Sequence, residues 1–412
     1  MQRMTDVPGT VHAGEPAWTV GIDLGRRAAH EAVVRAPDGT DRRLRFTHSR
    51  DGIDGFVGEL AGLEGRVLVI IEPTATRWQA LAEELSGKGL EVRQVHAATV
   101  AKLRGARDIT GAKSDRVDAR TLAGAVDYSH LVQPDTPAVA CAHALCLERL
   151  QLRRERRRLR GAVKTCLDTI WPEFLQTFRG GERGVTARAV ITVTGGDPAR
   201  ATRLGAHELE RRVRAAAPGR HIGHNKIKQL IEKTSRPVGY RAARGAYAAR
   251  LQRLMRRRAL VEGQLEALEE ELLHLYPRLP GAQRLDSLPG LRELDRALLL
   301  AAAGDVRRLR SARALGKLGG CAPIARDSGQ STPKRKISER CRYQLRDAAF
   351  HATRHIIKAC PAFQALYRAL RQRLTARQAV IACANRLLRV IWRMVNSDID
   401  YNPAKVAPAL NH

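Results

Sequence analysis

Residues Trp18–Gly25, Trp-Thr-Val-Gly-Ile-Asp-Leu-Gly, form an apolar run that carries one carboxylate, Asp23, and stops at a glycine. A run of this kind reads as a buried strand. A lone charge inside it is costly to bury unless something pairs with it. A metal ion shared with other acids is the natural partner, and three later acids are candidates: Glu72, Asp115 and Asp118.

The segments that follow fix the setting. His30–Arg35, an Asp38-Gly39 turn and Arg43–Phe46 read as two further strands of a meander. A helix is expected at about 52–63. Arg66–Pro73 is a β-branched strand that ends in an acid, Glu72. An amphipathic helix over 77–88 and a short strand, Glu91–Val95, come next. Three strands followed by alternating helix and strand is the order of a ribonuclease H-like α/β fold, expected here over 17–135 behind a loose tail, 1–16. In such a sheet Asp23 sits mid-strand and Glu72 at the carboxyl end of the neighbouring central strand, and open α/β sheets favour those strand ends for ligands. Ser114 is a good helix N-cap, which places Asp115 and Asp118 in a first turn and on one face. Two acids on one face repel unless a cation lies between them, and oxygen-only donors select Mg²⁺ or Mn²⁺. Taken singly, each acid has a plain structural reading as a turn residue, a strand-end surface charge or a helix-dipole partner. It is their joint placement that argues for a metal site.

Pro134 and Pro137 mark a boundary, after which 136–280 reads as a helical linker. From about 141 to 170 it is strongly basic, with Arg153, Arg154 and Arg157 among a run of arginines suited to nucleic-acid phosphates. Leu251, Leu254, Arg258, Val261, Leu265, Leu268, Leu272 and Leu275 alternate by three and four, the seam of a coiled coil. Arg258 interrupts it, where a polar residue can set register or partner number. We expect this helix both to pack on 141–170 as a hairpin and to dimerise.

Residues 281–400 read as a mostly helical C-terminal domain, with 401–412 as a tail. Leu288-Pro289-Gly290 turns into a helix at 293–303. A loop rich in Gly and hydroxyls then runs from Gly319 through Arg326 and Ser328-Gly329 to Lys334, Arg335 and Lys336. A serine among cations can attack phosphorus. On the residues alone, Ser328 as a turn residue before glycine is the better reading. Three basic helices are expected over 341–396.

Charge bounds the partners. The 412 residues carry 72 Lys+Arg against 42 Asp+Glu, a net +30. That balance points to a polyanion, most often nucleic acid. Seven cysteines without a C-x-x-C pair suit a reduced cytosol rather than a disulfide framework. No apolar run is long enough to span a membrane. The chain has no P-loop, no dinucleotide glycine fingerprint and no H-E-x-x-H.

In ordered combination these motifs resemble one family. Gly21-Ile22-Asp23, Ile71-Glu72-Pro73-Thr74, Lys113-Ser114-Asp115-Arg116-Val117-Asp118-Ala119, Leu288-Pro289-Gly290, Gly320-Cys321-Ala322-Pro323 and Ser328-Gly329 are similar to those of DEDD-type transposases from insertion sequences that use a bridge RNA. The resemblance covers nearly the whole chain. It implies a RuvC-like catalytic domain, a coiled-coil arm and a C-terminal transposase domain. It implies that Asp23, Glu72, Asp115 and Asp118 bind Mg²⁺ and that Ser328 forms a covalent link to DNA, the acids of one subunit working with the serine of another. It further implies a noncoding RNA that pairs with target and donor DNA, and a dimer that assembles into a tetramer.

The resulting expectation is RNA-guided DNA recombination. A metal-dependent structure-specific nuclease, such as a junction resolvase with water as nucleophile, is the alternative enzyme. A nucleic-acid-binding scaffold whose acids are structural is the non-enzymatic one.

Overall fold

The structure is a computed structural model that describes residues 17–25, 29–73, 77–107, 114–324, 336–338 and 340–405. The chain divides into two compact units, 1–134 and 135–412.

The first unit is built on a mixed sheet. Strands β1 (Ala17–Asp23), β2 (His30–Arg35) and β3 (Asp41–Phe46) form the antiparallel meander. Helix α1 (Arg50–Ala61) returns the chain so that β4 (Arg66–Ile71) pairs parallel with β1. Helix α2 (Trp78–Gly87) leads in the same way to β5 (Glu91–Gln94), parallel to β4. Helices α3 (Ala97–Arg107) and α4 (Asp115–Ala123) follow, then a two-residue edge strand, β6 (His130–Leu131). The sheet order is β3-β2-β1-β4-β5-β6. Only β6, too short to show a period, has no counterpart among the strands expected from sequence.

Alternation along β1 and β4 sorts the two faces of the sheet. Val20, Ile22, Val69 and Ile71 share one core with Phe56, Leu60, Leu81 and Leu85, so α1 and α2 cover that face. Gly21 and Ile70 point the other way, where Ile70 packs with Leu122 of α4.

The second unit is helical. Helix α5 (Pro137–Ile170), with Thr136 as N-cap and Pro137 in its first turn, starts four residues before the expected helix. Helices α6 (Pro172–Thr177), α7 (Val185–Thr194), α8 (Pro198–Ala216) and α9 (His224–Thr234) resolve a stretch whose mixed composition showed no clear period. Helix α10 (Arg244–Leu275) then runs back antiparallel to α5, with Glu269 bonded to Arg149 and Arg257 to Glu155. Its leucine seam is buried inside this chain: Val261 and Leu265 pack on Leu159, Leu251 joins the core of α6–α9, and Leu272 joins the C-terminal core. Arg258 is buried among partners of the same chain, Glu262 at 2.8 Å and Glu182 at 3.5 Å.

The C-terminal helices α11 (Ala282–Leu285), α12 (Glu293–Ala303), α13 (Ala312–Leu318), α14 (Tyr343–Ala359), α15 (Pro361–Arg371) and α16 (Ala376–Ser397) close one large core. Between α13 and α14, β7 (Pro323–Ile324) pairs antiparallel with β8 (Lys336–Ile337). No described helix is long and apolar enough to cross a membrane.

Candidate active site

Asp23 is the last residue of β1, two positions beyond Gly21, and therefore faces the side of the sheet that α4 covers. Ile22 pairs with Ile71 across the parallel ladder, so Glu72 follows β4 beside Asp23. Being two positions beyond Ile70, Glu72 faces the same side. Helix α4 lies directly on β1: a Cβ on Gly21 would stand 2.8 Å from Leu122 Cβ, with Ala119 O and Ala123 N closer still. Only glycine allows that approach. The Ser114 hydroxyl accepts from Val117 N at 3.3 Å and starts α4, so that Asp115 and Asp118 fall in its first turn. Asp118 is buried and Asp115 exposed. Three local features thus converge: a strand end, its neighbour's end and a capped helix start.

The electrostatics record this convergence. Burial and then the charges of Asp115, Asp118 and Glu72 raise the Asp23 carboxyl to about 6, with an opposing contribution from the Leu24 amide. Like charges that lift a carboxylate mark a place where a cation is stabilising. The donors are all oxygens, which fits a hard divalent ion. Among the described residues, however, no three or more His, Cys, Asp or Glu side chains stand as a formed metal cage. Arg104 of α3 holds Asp118 in a direct ion pair.

Several neighbours escaped sequence reasoning. Glu31 lies opposite Asp23 in the ladder and is buried, paired by Arg43 and, at 3.4 Å, by Arg45. Arg120 ties α4 to Asp41 at 2.8 Å. His30 is fully buried. Its Nδ1 accepts from Gly25 N at 3.1 Å, which leaves its Nε2–H to donate to His48 Nδ1 at 3.0 Å. Burial, with His48 and Arg77 nearby, pushes His30 down to about 4, so it is neutral and pins the turn just after Asp23. A histidine opening a strand next to Glu31 carries no sequence signal of burial.

Ser328, Arg326, Lys334 and Arg335 lie outside the described residues; Lys336 stands in β8. The ends of that segment, Pro323 and Ile337, border a cleft of about 1120 Å³ lined also by Arg157, Arg346, Arg373 and Arg377. Arg153 pairs with Asp347 and lies 3.1 Å from His351, so part of its charge is used within the chain. Arg154 sits 5.0 Å above the Tyr343 ring. Arg157 lines the cleft directly.

Comparison with known proteins agrees at both ends of the chain. A model described as "Transposase", of the DEDD type from IS110, matches residues 20–172, and one described as "Transposase IS116/IS110/IS902 family" matches 282–368. A "Probable family 20 transposase" of Pseudomonas aeruginosa is 27% identical over 35% of this chain and 46% of its own length. The IS900 42 kDa protein of Mycobacterium paratuberculosis is 32% identical over 36% and 37%. The IS116 44.8 kDa protein of Streptomyces clavuligerus is 25% identical over 93% of this chain and 96% of its own length. The chain thus spans less than half of the first two relatives and nearly all of the third.

Proposed function

Since this chain belongs to the IS116/IS110/IS902 transposase family, we propose that it cuts and rejoins DNA with Asp23, Glu72, Asp115 and Asp118 as the holders of Mg²⁺ and Ser328 as the nucleophile. The observation that carries the reading is that Asp23 ends β1, Glu72 follows the paired β4, and α4, which starts with Asp115 and Asp118, lies against β1 at Gly21. A divalent cation bound there supplies Lewis-acid polarisation of the scissile phosphate. Asp23 must be ionised to hold it, which its value near 6 permits at neutral pH. The Ser328 hydroxyl would displace one DNA oxygen from phosphorus. The phosphoserine ester forms as the P–O bond to DNA breaks, and the serine proton passes to the leaving DNA hydroxyl. A hydroxyl from the exchange partner reverses the step. Arg326, Lys334 and Arg335 would neutralise the phosphate. The net charge of +30 suits two DNA duplexes and a guiding noncoding RNA, held by paired copies of the chain.

The test is a denaturing gel of the full-length protein with its element's DNA. Wild type should yield a protein–DNA adduct that Ser328→Ala and Asp23→Asn both lose. Strand cleavage that persists in Ser328→Ala without adduct would replace this reading with the water-dependent nuclease. Exchange that survives removal of all RNA would remove the guide from it.

A further inference from the structure

Between α9 and α10 the chain crosses the α5–α6 junction as a loop. Its backbone is fastened at successive points. Trp171 Nε1 donates to Thr234 Oγ1 at 2.9 Å. Val238 N donates to Glu173 Oε1 at 2.8 Å, and Tyr240 N to Thr169 O at 2.8 Å. Gly239 faces inward against the Ile170 backbone so tightly that a Cβ there would overlap it. Glu173 is itself buried. A buried carboxylate is costly to maintain, and this one is spent on an amide of the segment.

On either side of the inward Gly239, Val238 and Tyr240 are left exposed. Val238 is 78% exposed, the most of any large apolar side chain among the described residues, and Tyr240 is 54% exposed. Arg236 and Arg241, both exposed, flank them. Residues 221–250 hold seven Lys or Arg (226, 228, 233, 236, 241, 244, 250) against one acid, Glu232. An aromatic face between cations, in a stretch where cations outnumber acids seven to one, repels another copy of this basic chain and attracts a polyanion with exposed rings.

We propose that Arg236–Arg241 is a stacking platform for an unpaired nucleotide of a bound nucleic acid. Tyr240 and Val238 cover the base face, and Arg236 and Arg241 meet the adjacent phosphates. A fully paired duplex presents phosphates but no free base face, so it engages the arginines only. The proposal rests on the nucleic-acid part of the function above and not on its acids or Ser328.

Binding of the full-length chain in EDTA tests it, with hairpins carrying an unpaired loop, made as RNA and as DNA, and the matching blunt duplexes. Tyr240→Ala should weaken binding to one or both looped ligands by about 5- to 100-fold and to duplexes by less than about twofold. Tyr240→Phe should restore it. The arm that carries the loss identifies RNA or DNA as the source. Equal losses on looped and paired ligands, or no loss, would overturn the platform while leaving the strand-exchange reading intact. A change of oligomeric state in Tyr240→Ala with binding unchanged would overturn it in favour of a protein contact. A wild-type chain that binds none of the four ligands would overturn both readings.

Discussion

Adding one methyl group at Gly21 should separate the acids without unfolding the chain. In Gly21→Ala the new Cβ meets Leu122 Cβ at 2.8 Å, with the Ala119 carbonyl oxygen and the Ala123 amide nearer. Non-bonded carbons rest at about 3.5–4.0 Å, so α4 must retreat by about 1 Å. It cannot retreat by rotamer change, because two of the three obstructing atoms are backbone. Overpacking of this kind costs about 1–3 kcal/mol, against a fold stability of about 5–15 kcal/mol, and the protein stays folded. The chemistry fares worse. Asp115 and Asp118 ride on α4, while Asp23 ends β1 and Glu72 directly follows β4. A displacement near 1 Å between groups that act on one phosphate costs about 100-fold in rate. The assay is single-turnover adduct formation, with circular dichroism and Mn²⁺ binding on the same sample. Gly58→Ala is the control: it lies in α1, and a Cβ there meets nothing within 4 Å. A folded Gly21→Ala protein with the rate and Mn²⁺ affinity of wild type would refute the claim that α4 seating on Gly21 sets the site.

Two further outcomes follow from charges the structure buries. Asp23 binds its proton more tightly folded than unfolded, so without metal the fold should lose stability as pH rises from about 4 to about 6. Asp23→Asn should therefore melt higher than wild type in EDTA above pH 6 and match it below pH 4, and wild-type Mn²⁺ affinity should climb through pH 6. In the arm, Arg258→Leu leaves Glu182 buried with only Arg160, at 3.7 Å, for company. Hydrogen exchange of α5 and α10 should report a loss of about 3–5 kcal/mol of opening free energy, largely regained in Arg258→Leu/Glu182→Leu.

What the sequence revealed, and what it hid, divides along a physical line. Strands β1, β2 and β4 were legible because each buries consecutive apolar residues. The start of α4 was legible because Ser114 is a local capping device. Pro73 and Ser114 marked the element ends at which Glu72, Asp115 and Asp118 stand, whereas Asp23, expected mid-strand, is the last residue of β1. The hidden features are those whose meaning depends on a distant partner. Gly21 in a strand looks like a weakness until α4 is seen resting on it. His30 looks exposed until Gly25 and His48 are found on its two nitrogens. Arg258 reads as a device for choosing a partner chain, whereas its carboxylates, Glu182 and Glu262, come from its own.

The arginine surplus then acquires a local meaning. On the α4 face, guanidinium groups already serve Glu31 and Asp118. Even so, burial and the remaining charge lift Asp23 to about 6. One delocalised positive charge on Asp118 is therefore not enough to settle the cluster. A compact divalent ion carries twice the charge of Arg104 on a far smaller radius, and in a partly desolvated site Coulomb energy scales with charge over distance. On the function proposed above, a cation at these acids would compete with Arg104 for Asp118 and with the proton that Asp23 holds below about pH 6. What Arg104 does in the fold is local: its ion pair with Asp118 ties α3 to the first turn of α4.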